Sequence, residues 1–310
     1  MWRSAVLALS TNRAMRQIAT RNGLGKRMAS RFVAGETIDE AIAVAEDLNQ
    51  RGATVELDYL GEHVTDEGQA VLAVKTYLDT LDRIANTRVD AHVSLKLSQM
   101  GQELGDELCY DNSRKLLERA AEYANFVWLD MEGSDSTERT IQLYKKLRAE
   151  YENVGIALQA YLYRSKADVE EILSIGGTVR LCKGAYSEPT EIAFPHKVEV
   201  DRNYKVLAEA LISSGRYHAI ATHDDKMIQH ATRFAKARGA DSQAFEFQML
   251  YGIRRDLQAR LLRDGRRLRI YVPFGEQWFP YFMRRLAERP ANTLFLASSI
   301  VAEAGSRNRG

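Results

Sequence analysis

The stretch TVELDYLGEHVTDEGQAVLAVKTYLDTLDRIANTRVDAHVSLKL, residues 54–97, contains the unit from which the fold is predicted. Residues 54–60 form a short apolar and β-branched strand, residues 66–86 have the apolar spacing of an amphipathic helix, and residues 92–97 form a second strand. A strand, a helix and a second strand in this order are typical of a parallel sheet with helices on its outer face.

The same alternation continues to residue 272. Further strands are predicted at residues 126–131, 155–160, 178–183, 217–222, 244–248 and 268–272, and helical segments separate them, the first of these at residues 112–124. The run FEFQML at 245–250 could also begin a helix. Eight units in series favour an α/β fold of the closed (βα)8 TIM type over an open sheet. We expect extra N-terminal helices, one of which begins with a capping box of Thr37 and Glu40 and ends at Gly52, and a modified C-terminal helix over the active site.

Composition places the chain among ordinary globular proteins. It has 310 residues, 45% hydrophobic and 27% charged, and a formal net charge of +1, which gives no reason to expect nucleic acid as a partner. No apolar run reaches the roughly 18 residues of a membrane span. Cys109 and Cys182 are too few for a disulfide framework, fit a reducing compartment, and are interpreted as small buried residues.

The first 35 residues differ from the rest, because they contain seven basic residues and no acidic one: Arg3, Arg13, Arg16, Arg21, Lys26, Arg27 and Arg31. A transit peptide, a basic helix that contacts anionic lipid and a packed helix with a basic outer face all remain open. We therefore divide the chain into a basic helical segment, 1–35, and a barrel domain, 36–310. A cytoplasmic protein is expected, with peripheral contact to the inner face of the cell membrane as an open alternative.

Polar side chains follow most of the predicted strands, and the carboxyl ends of barrel strands carry the active site in enzymes of this fold. They are Lys96, Asp130, Gln159, Arg180, Lys183, Thr222, His223, Gln248 and Tyr271. Most are donors or cations, which suit an anionic ligand. The histidines show no metal-ligand spacing, and neither a P-loop nor a GxGxxG motif is present. The Lys183–Gly184 pair could hold a phosphate or form an ordinary glycine turn.

The last predicted helix carries Tyr281, Arg284, Arg285 and Glu288 at positions i, i+3, i+4 and i+7, so that all four lie on one face. The simplest interpretation is a solvated face with an Arg284–Glu288 pair. Two adjacent arginines beside tyrosines are also suited to clamp a small carboxylate.

Seven motifs at successive strand ends occur in a fixed order. They are VSLKLSQMG (93–101), VWLDMEG (127–133), IALQAYLYR (156–164), RLCKGAYSEP (180–189), ATHD (221–224), FQMLYG (247–252) and RIYVPFGEQWFPYFMRRLAERP (269–290). This set resembles the proline dehydrogenase family in its short monofunctional bacterial form, and it covers nearly the whole chain after the basic segment. Phe274 stands where the family often has tyrosine.

The resemblance implies FAD-dependent oxidation of L-proline to Δ1-pyrroline-5-carboxylate, with electrons passed to a membrane quinone. It implies that Arg284, Arg285 and Lys96 hold the proline carboxylate and that four side chains enclose the ring: Tyr186, Leu250, Tyr271 and Tyr281. Asp130 would be an active-site carboxylate that orients Tyr271 or Lys96, and Arg180 would lie near flavin N5. The remaining FAD contacts implied by the resemblance are Met131, Gln159, Lys183, Gly184, Ala185, Thr222, His223 and Glu288.

Glu62, in the loop after the first strand, matches the family's acidic partner for the first arginine. We hypothesise that Glu62 and Arg284 form a gate over bound proline. Two other readings stay open: a class I aldolase with Lys96 as the Schiff-base lysine, and a module in which the basic segment binds an anionic surface and the barrel only supports it.

Overall fold

The structure is a computed structural model that describes residues 29–61, 64–240 and 244–288. Its strands are β1 (Thr54–Tyr59), β2 (Ala91–Leu95), β3 (Val127–Leu129), β4 (Val154–Gln159), β5 (Thr178–Cys182), β6 (His218–Ala221), β7 (Phe245–Leu250) and β8 (Leu268–Phe274). Its helices are α1 (Ile38–Gln50), α2 (Glu67–Thr87), α3 (Asp106–Glu122), α4 (Ser134–Glu150), α5 (Ser165–Ser174), α6 (Lys197–Ser213), α7 (Asp225–Ala237), α8 (Arg255–Arg263) and α9 (Trp278–Glu288).

The eight strands form a closed parallel barrel in chain order, which confirms the predicted (βα)8 fold. The barrel closes between β1 and β8, where pairing runs from Thr54↔Arg269 to Tyr59↔Phe274. The ambiguous run 245–250 is a strand, because it pairs with β6 on one side and with β8 on the other. All of these strands therefore point their carboxyl ends to the same mouth.

Helix α3 begins earlier than the sequence pattern predicts, at Asp106 instead of residue 112. The first turn is acidic, with Asp106 and Glu107, so it shows little apolar periodicity, although carboxylates are favourable at a helix N-terminus. Cys109 and Tyr110 then bury the inner face of this added turn. Cys109 is fully buried, as expected, whereas Cys182 is partly exposed.

Helix α1 precedes the barrel and covers the outside of its closing seam. The predicted capping box is present, since the Thr37 side chain accepts from the Glu40 N–H and the Glu40 carboxylate caps the Thr37 backbone. Four apolar residues face inward from α1, and the helix packs against β1 and β8. Because α1 covers this seam, α9, the helix after β8, can lie at the cavity instead of on the outside of the barrel.

Residues 29–36, here called the N-terminal strap, hold α9 in that position. Phe32 packs on Phe282 with ring centroids 6.2 Å apart, and Ala29 and Val33 join the same buried cluster. The Ala34 N–H donates to Pro273 O over 2.9 Å, and the Trp278 indole donates to Glu36 Oε1 over 2.9 Å. The strap thus fixes α9 through apolar burial and through hydrogen bonds at its start.

Candidate active site

A cavity of about 910 Å³ lies at the carboxyl ends of the strands. Its lining includes the predicted site residues Lys96, Asp130, Met131, Gln159, Arg180, Lys183, Gly184, Ala185, Tyr186, Thr222, His223, Leu250, Tyr271, Tyr281, Arg284 and Arg285. Two predicted site residues cannot be placed: Glu62 lies outside the described residues, and the side chain of Glu288 does too, although its backbone ends α9. One cavity of the size that cofactor sites take is therefore lined by side chains from the ends of all eight strands and from α9.

Asp130, just after β3, is the centre of the hydrogen-bond network on the cavity floor. Its Oδ1 accepts from Arg180 at 2.7 Å and from the Ser94 hydroxyl at 2.8 Å. Its Oδ2 accepts from the Tyr271 hydroxyl at 2.7 Å and from Lys96 Nζ at 3.3 Å. Four donors converge on one carboxylate, so its position sets the positions of all four.

This convergence also determines the charge of Asp130. Burial alone would raise the pKa of the carboxyl, but Lys96, Arg180 and the hydrogen bonds from Tyr271 and Ser94 outweigh it and lower the pKa below the usual value. Asp130 is therefore an anion at neutral pH. It can orient Tyr271 and Lys96, the role that the resemblance implies for it.

Lys96 is held as a cation by two carboxylates. Its Nζ donates to Asp58 Oδ1 over 2.8 Å as well as to Asp130, and lies 3.5 Å from the Tyr271 hydroxyl. Burial favours the neutral amine, but the charges of Asp58 and Asp130 raise the pKa of Lys96 well above its usual value. A Schiff-base lysine must be neutral to attack a carbonyl, so this environment argues against the aldolase reading.

Arg180 crosses the interior of the barrel from β5. Its guanidinium pairs with Asp130 on one side and with Glu56 on the other, and it stacks 4.7 Å from the Trp128 ring and 5.7 Å from the Tyr271 ring. The side chain is 4% exposed. Its Nε has no hydrogen-bond partner among the described protein atoms, and neither has Gln159 Oε1, which also belongs to a residue that lines the cavity.

The other end of the cavity contains a pairing that the sequence does not reveal. Lys183 donates to Asp201 and, over 2.8 Å, to Asp224, while Lys197 also pairs with Asp201. Gly184 has φ +113, and a Cβ there would lie 2.2 Å from the Tyr161 ring. The glycine is thus required by its own turn and by Tyr161, whatever binds beside it.

The loop after β6 is tied to the end of β7. The Leu250 N–H donates to His223 Nε2 over 2.9 Å, and the Thr222 N–H donates to Gln248 O over 3.0 Å. Thr222 Oγ1 accepts from the Asp224 N–H over 3.1 Å, just before α7. These bonds hold His223 and Leu250 in fixed relative positions at the cavity wall.

Helix α9 brings its predicted residues to the same cavity. Tyr281, Arg284 and Arg285 all line it, and the Arg285 guanidinium lies 5.1 Å from the centroid of the Tyr281 ring. Tyr281 is buried, whereas both arginines are partly exposed. Three of the four residues predicted on this helix face therefore line the cavity, and the carboxylate clamp stays a prediction.

Sequence reasoning missed Glu56 and Asp58, which pair with Arg180 and Lys96. Both carboxylates are at most 1% exposed. Their signal is visible in hindsight: they are two residues apart in the otherwise apolar strand TVELDY, and that spacing places both on one face of a strand. Two acids on the inner face of a buried strand need cations from other strands.

No group of three or more histidine, cysteine or acidic side chains in the described part of the chain could hold a metal ion. The fold and the site together define a (βα)8 barrel enzyme whose active-site mouth is built from cations, tyrosines and one central carboxylate.

Comparisons with known proteins give the particular family. The proline dehydrogenase family profile matches residues 41–298. Proline dehydrogenase 2 of Bacillus subtilis (strain 168) is 39% identical over 293 residues, which cover 94% of this chain and 96% of that protein. Proline dehydrogenase of Deinococcus radiodurans is 38% identical over 306 residues, or 97% of this chain and 98% of the relative. The chain therefore belongs to the proline dehydrogenase family and is an enzyme of that activity.

A solved structure shows the same fold. Proline utilization A (PutA) from Bdellovibrio bacteriovorus, inactivated by N-propargylglycine, superposes with a TM-score of 0.79 at 27% identity. The match covers 84% of this chain and 32% of that one, so this chain spans about a third of the larger protein.

Proposed function

We propose that the enzyme uses FAD to oxidise L-proline to Δ1-pyrroline-5-carboxylate and passes the electrons to a membrane quinone. The observation that carries this proposal is the meeting of Lys96, Arg284 and Arg285 at one cavity, together with Arg180. Cations from β2 and α9 would hold the carboxylate of proline, because a small anion placed between them gains charge-assisted hydrogen bonds.

The cavity floor fits a flavin ring. Gln159 Oε1 and Arg180 Nε are buried polar atoms without a partner among the described protein atoms, whereas buried polar atoms in folded proteins are nearly always paired. An acceptor and a donor on residues that line one cavity match the polar edge of an isoalloxazine. When bound, FAD supplies the acceptor for the hydride and both electrons.

The rest of the FAD would lie toward Lys183, Gly184, Ala185, Thr222 and His223. Lys183 has three N–H donors and two described acceptors, Asp201 and Asp224, so one donor remains for a phosphate. These two carboxylates also offset its charge. We therefore assign Lys183 a weaker part in phosphate binding than its position in the sequence alone indicated.

Substrate binding requires a small rearrangement at Lys96. Its three donors are directed at Asp58, Asp130 and Tyr271, and the contact to Tyr271 is the longest at 3.5 Å. We propose that Lys96 exchanges this contact for an oxygen of the proline carboxylate. Tyr271 keeps its hydrogen bond to Asp130. Together with Tyr186, Leu250 and Tyr281, it would pack against the ring of proline.

The chemical step needs placement more than a strong base. Proline that binds with an unprotonated amine can lose a hydride from the carbon beside the nitrogen once this carbon is held near the acceptor. Arg180 then stabilises the negative charge that develops on that acceptor, since its guanidinium is already oriented by Asp130 and Glu56.

A visible spectrum of the purified protein under anaerobic conditions tests the proposal. A yellow protein that bleaches when L-proline is added is the expected result. A colourless protein, or one trapped by borohydride together with a carbonyl substrate, contradicts it. Replacing Arg285 with Met should weaken bleaching at low proline concentrations and leave the colour in place.

The gate stays a proposal, because Glu62 lies outside the described residues. If Glu62 and Arg284 close over bound proline, Glu62→Ala raises KM for proline more than it lowers kcat. Unchanged steady-state kinetics would remove the gate from the mechanism.

Contact with the membrane is proposed only as peripheral. No helix in the described part of the chain is long and apolar enough to span a bilayer. The basic segment 1–35 would supply electrostatic attraction to anionic lipid, which high salt should weaken. Sedimentation with anionic and neutral vesicles, followed by reduction of a soluble quinone analogue, measures both parts of this proposal.

A further inference from the structure

The barrel interior, counted up to and including Asp130 at the cavity floor, contains more carboxylates than cations. Among the described residues on the inner side of the strands, Lys96, Arg180 and Arg269 are the cations, and Glu56, Asp58, Asp130 and Glu246 are the carboxylates. Burying an uncompensated charge is costly, so a buried group without enough partners takes up or releases a proton instead. Three cations cannot neutralise four carboxylates, so a further negative charge nearby favours the uptake of one proton by this interior.

Glu56 is placed to hold that proton. It is fully buried on β1, and its Oε1 accepts from Arg180. Its Oε2 has no hydrogen-bond partner in the described part of the chain. Arg180, Asp130, Arg269 and Ser94 face it from β5, the end of β3, β8 and β2. Ser94 donates its hydrogen to Asp130, so the Ser94 oxygen can accept from a protonated Glu56.

The four groups around Glu56 act on it in both directions. Burial raises the pKa of Glu56 to about 7, although Arg180, Arg269 and a hydrogen bond from Ser94 oppose this change and Asp130 adds to it. Asp58 is the other candidate, because burial raises its pKa to about 6. Both acids share their cation with Asp130, since Lys96 pairs with Asp58 and Asp130 and Arg180 pairs with Glu56 and Asp130. Of the two, Glu56 has the buried oxygen without a hydrogen-bond partner among the described residues.

We propose that Glu56 binds a proton when negative charge appears in the cavity beside Arg180, and so compensates the charge that proline oxidation delivers to the cofactor. The inference depends on the FAD-dependent reaction proposed above. Arg180 links Glu56 to the cavity, because its Nη2 donates to Glu56 and its Nη1 donates to Asp130 at the cavity. A new anion near Arg180 competes for that cation and leaves Glu56 less compensated.

The proton balance of this step is simple. Oxidation of the proline C–N bond removes a hydride and one N–H proton, and the hydride carries both electrons to the cofactor, which gains one negative charge. The N–H proton leaves to solvent. Glu56, if ionised before the step, takes one proton from solvent, so that the medium gains one proton fewer for each proline oxidised than it would without Glu56.

Potentiometric titration of the flavin in the holoenzyme across neutral pH tests this inference. In the wild type, the midpoint potential should depend more steeply on pH around neutrality than in Glu56→Gln, which cannot take up the proton but retains an oxygen for Arg180. Asp168→Asn is the matched control, because Asp168 is 4% exposed, pairs with Arg164 and does not line the cavity. It should keep the wild-type slope.

A second readout uses the wild type alone and remains valid if Glu56→Gln does not fold. Infrared difference spectra of proline-reduced minus oxidised protein should gain a protonated carboxylic acid band, which shifts when glutamate is labelled with ¹³C. Absence of a glutamic acid band, or a wild-type slope that persists in Glu56→Gln, overturns the inference. A colourless protein would instead defeat the proposed function, so the two failures are distinguishable.

Discussion

At the scale of single residues, Asp130 does more than any other side chain to organise the site. Two cations, a phenol and a hydroxyl depend on its two oxygens. The sequence indicated the position, since an acid that follows a barrel strand faces the active site. It could not indicate how many donors converge there, because they come from other strands.

Replacing Asp130 with Asn tests this role. The amide keeps one acceptor and adds a donor that faces Arg180 or Lys96, so each of these cations keeps only one of its two carboxylate partners. Breaking a buried ion pair costs about 3–5 kcal/mol, which is the upper end of the loss expected here. We expect a large drop in kcat/KM for proline and a lower Tm, measured by anaerobic flavin reduction and thermal unfolding. Ser94→Ala removes one donor without removing the charge and should cost only about 1 kcal/mol. Equal effects in the two variants would contradict the central role of Asp130.

A buried histidine on β6 makes stability depend on pH. Burial, with a contribution from Arg216, lowers the pKa of His218 from 6.5 to about 4. His218 Nδ1 accepts from the Val179 N–H over 3.0 Å, so the native fold holds the neutral ring. The unfolded chain then binds more protons, and stability that is complete above pH 6.5 is lost as the pH falls toward 4. The pKa difference corresponds to about 3 kcal/mol.

His218→Asn should therefore flatten this loss, because asparagine can accept from Val179 without titrating. The midpoint of urea unfolding, measured between neutral and acidic pH, should fall less steeply in the variant than in the wild type. Some slope should remain, since burial also lowers the pKa of His92. Substitution of the exposed His196 by Asn is the control and should leave the wild-type slope unchanged.

At the scale of elements, the barrel was predictable from the sequence, whereas the start of one helix and the contacts between elements were not. Short apolar runs alternate with amphipathic helices, and this pattern alone indicates (βα)8 closure. The predicted start of α3 was wrong by six residues, because its first turn is acidic. The ion pair between Lys183 and Asp201 was not predictable, because it joins the end of β5 to α6 through a tertiary contact. Glu56 and Asp58 were missed because the apolar residues of β1 dominate its pattern.

The strap packs against α9, which carries two of the arginines that we propose bind proline. Gly252, after β7, has φ +75, and a Cβ there would lie 1.8 Å from the backbone oxygen of Arg31 in the strap. Gly252→Ala must displace the strap, and with it the helix that carries Arg284 and Arg285. We expect a higher KM for proline, a smaller change in kcat, and a loss of about 1–3 kcal/mol in stability.

The matched control separates this displacement from backbone strain. Gly265, after α8, has φ +67, and a Cβ added there would meet nothing within 4 Å, so Gly265→Ala carries the strain alone. It should lose some stability and keep the wild-type KM. If both variants raise KM equally, the strap does not position α9.

At the scale of the whole molecule, the strap bears on where the barrel domain begins, and the boundary stays a prediction. The sequence suggested a boundary at 35/36 from charge alone, since basic residues continue to Arg31. Ala29, Phe32 and Val33 are at most 3% exposed and belong to one buried cluster with α9. Apolar packing, which charge composition does not reveal, therefore extends toward the N-terminus beyond that boundary.

Two truncations that differ by seven residues test this boundary. A chain that begins at Ala29 keeps the described strap, whereas a chain that begins at Glu36 loses three buried apolar side chains. Burial of a large apolar side chain stabilises a fold by about 1.5–3 kcal/mol. We expect the first truncation to bleach with proline at wild-type KM and the second to unfold at a lower temperature with a raised KM. Vesicle sedimentation of the first truncation reports separately on lipid binding, which should decrease if residues 1–28 supply it. Equal Tm and KM in the two truncations would support the predicted boundary at 35/36 and would show that the strap does not position α9.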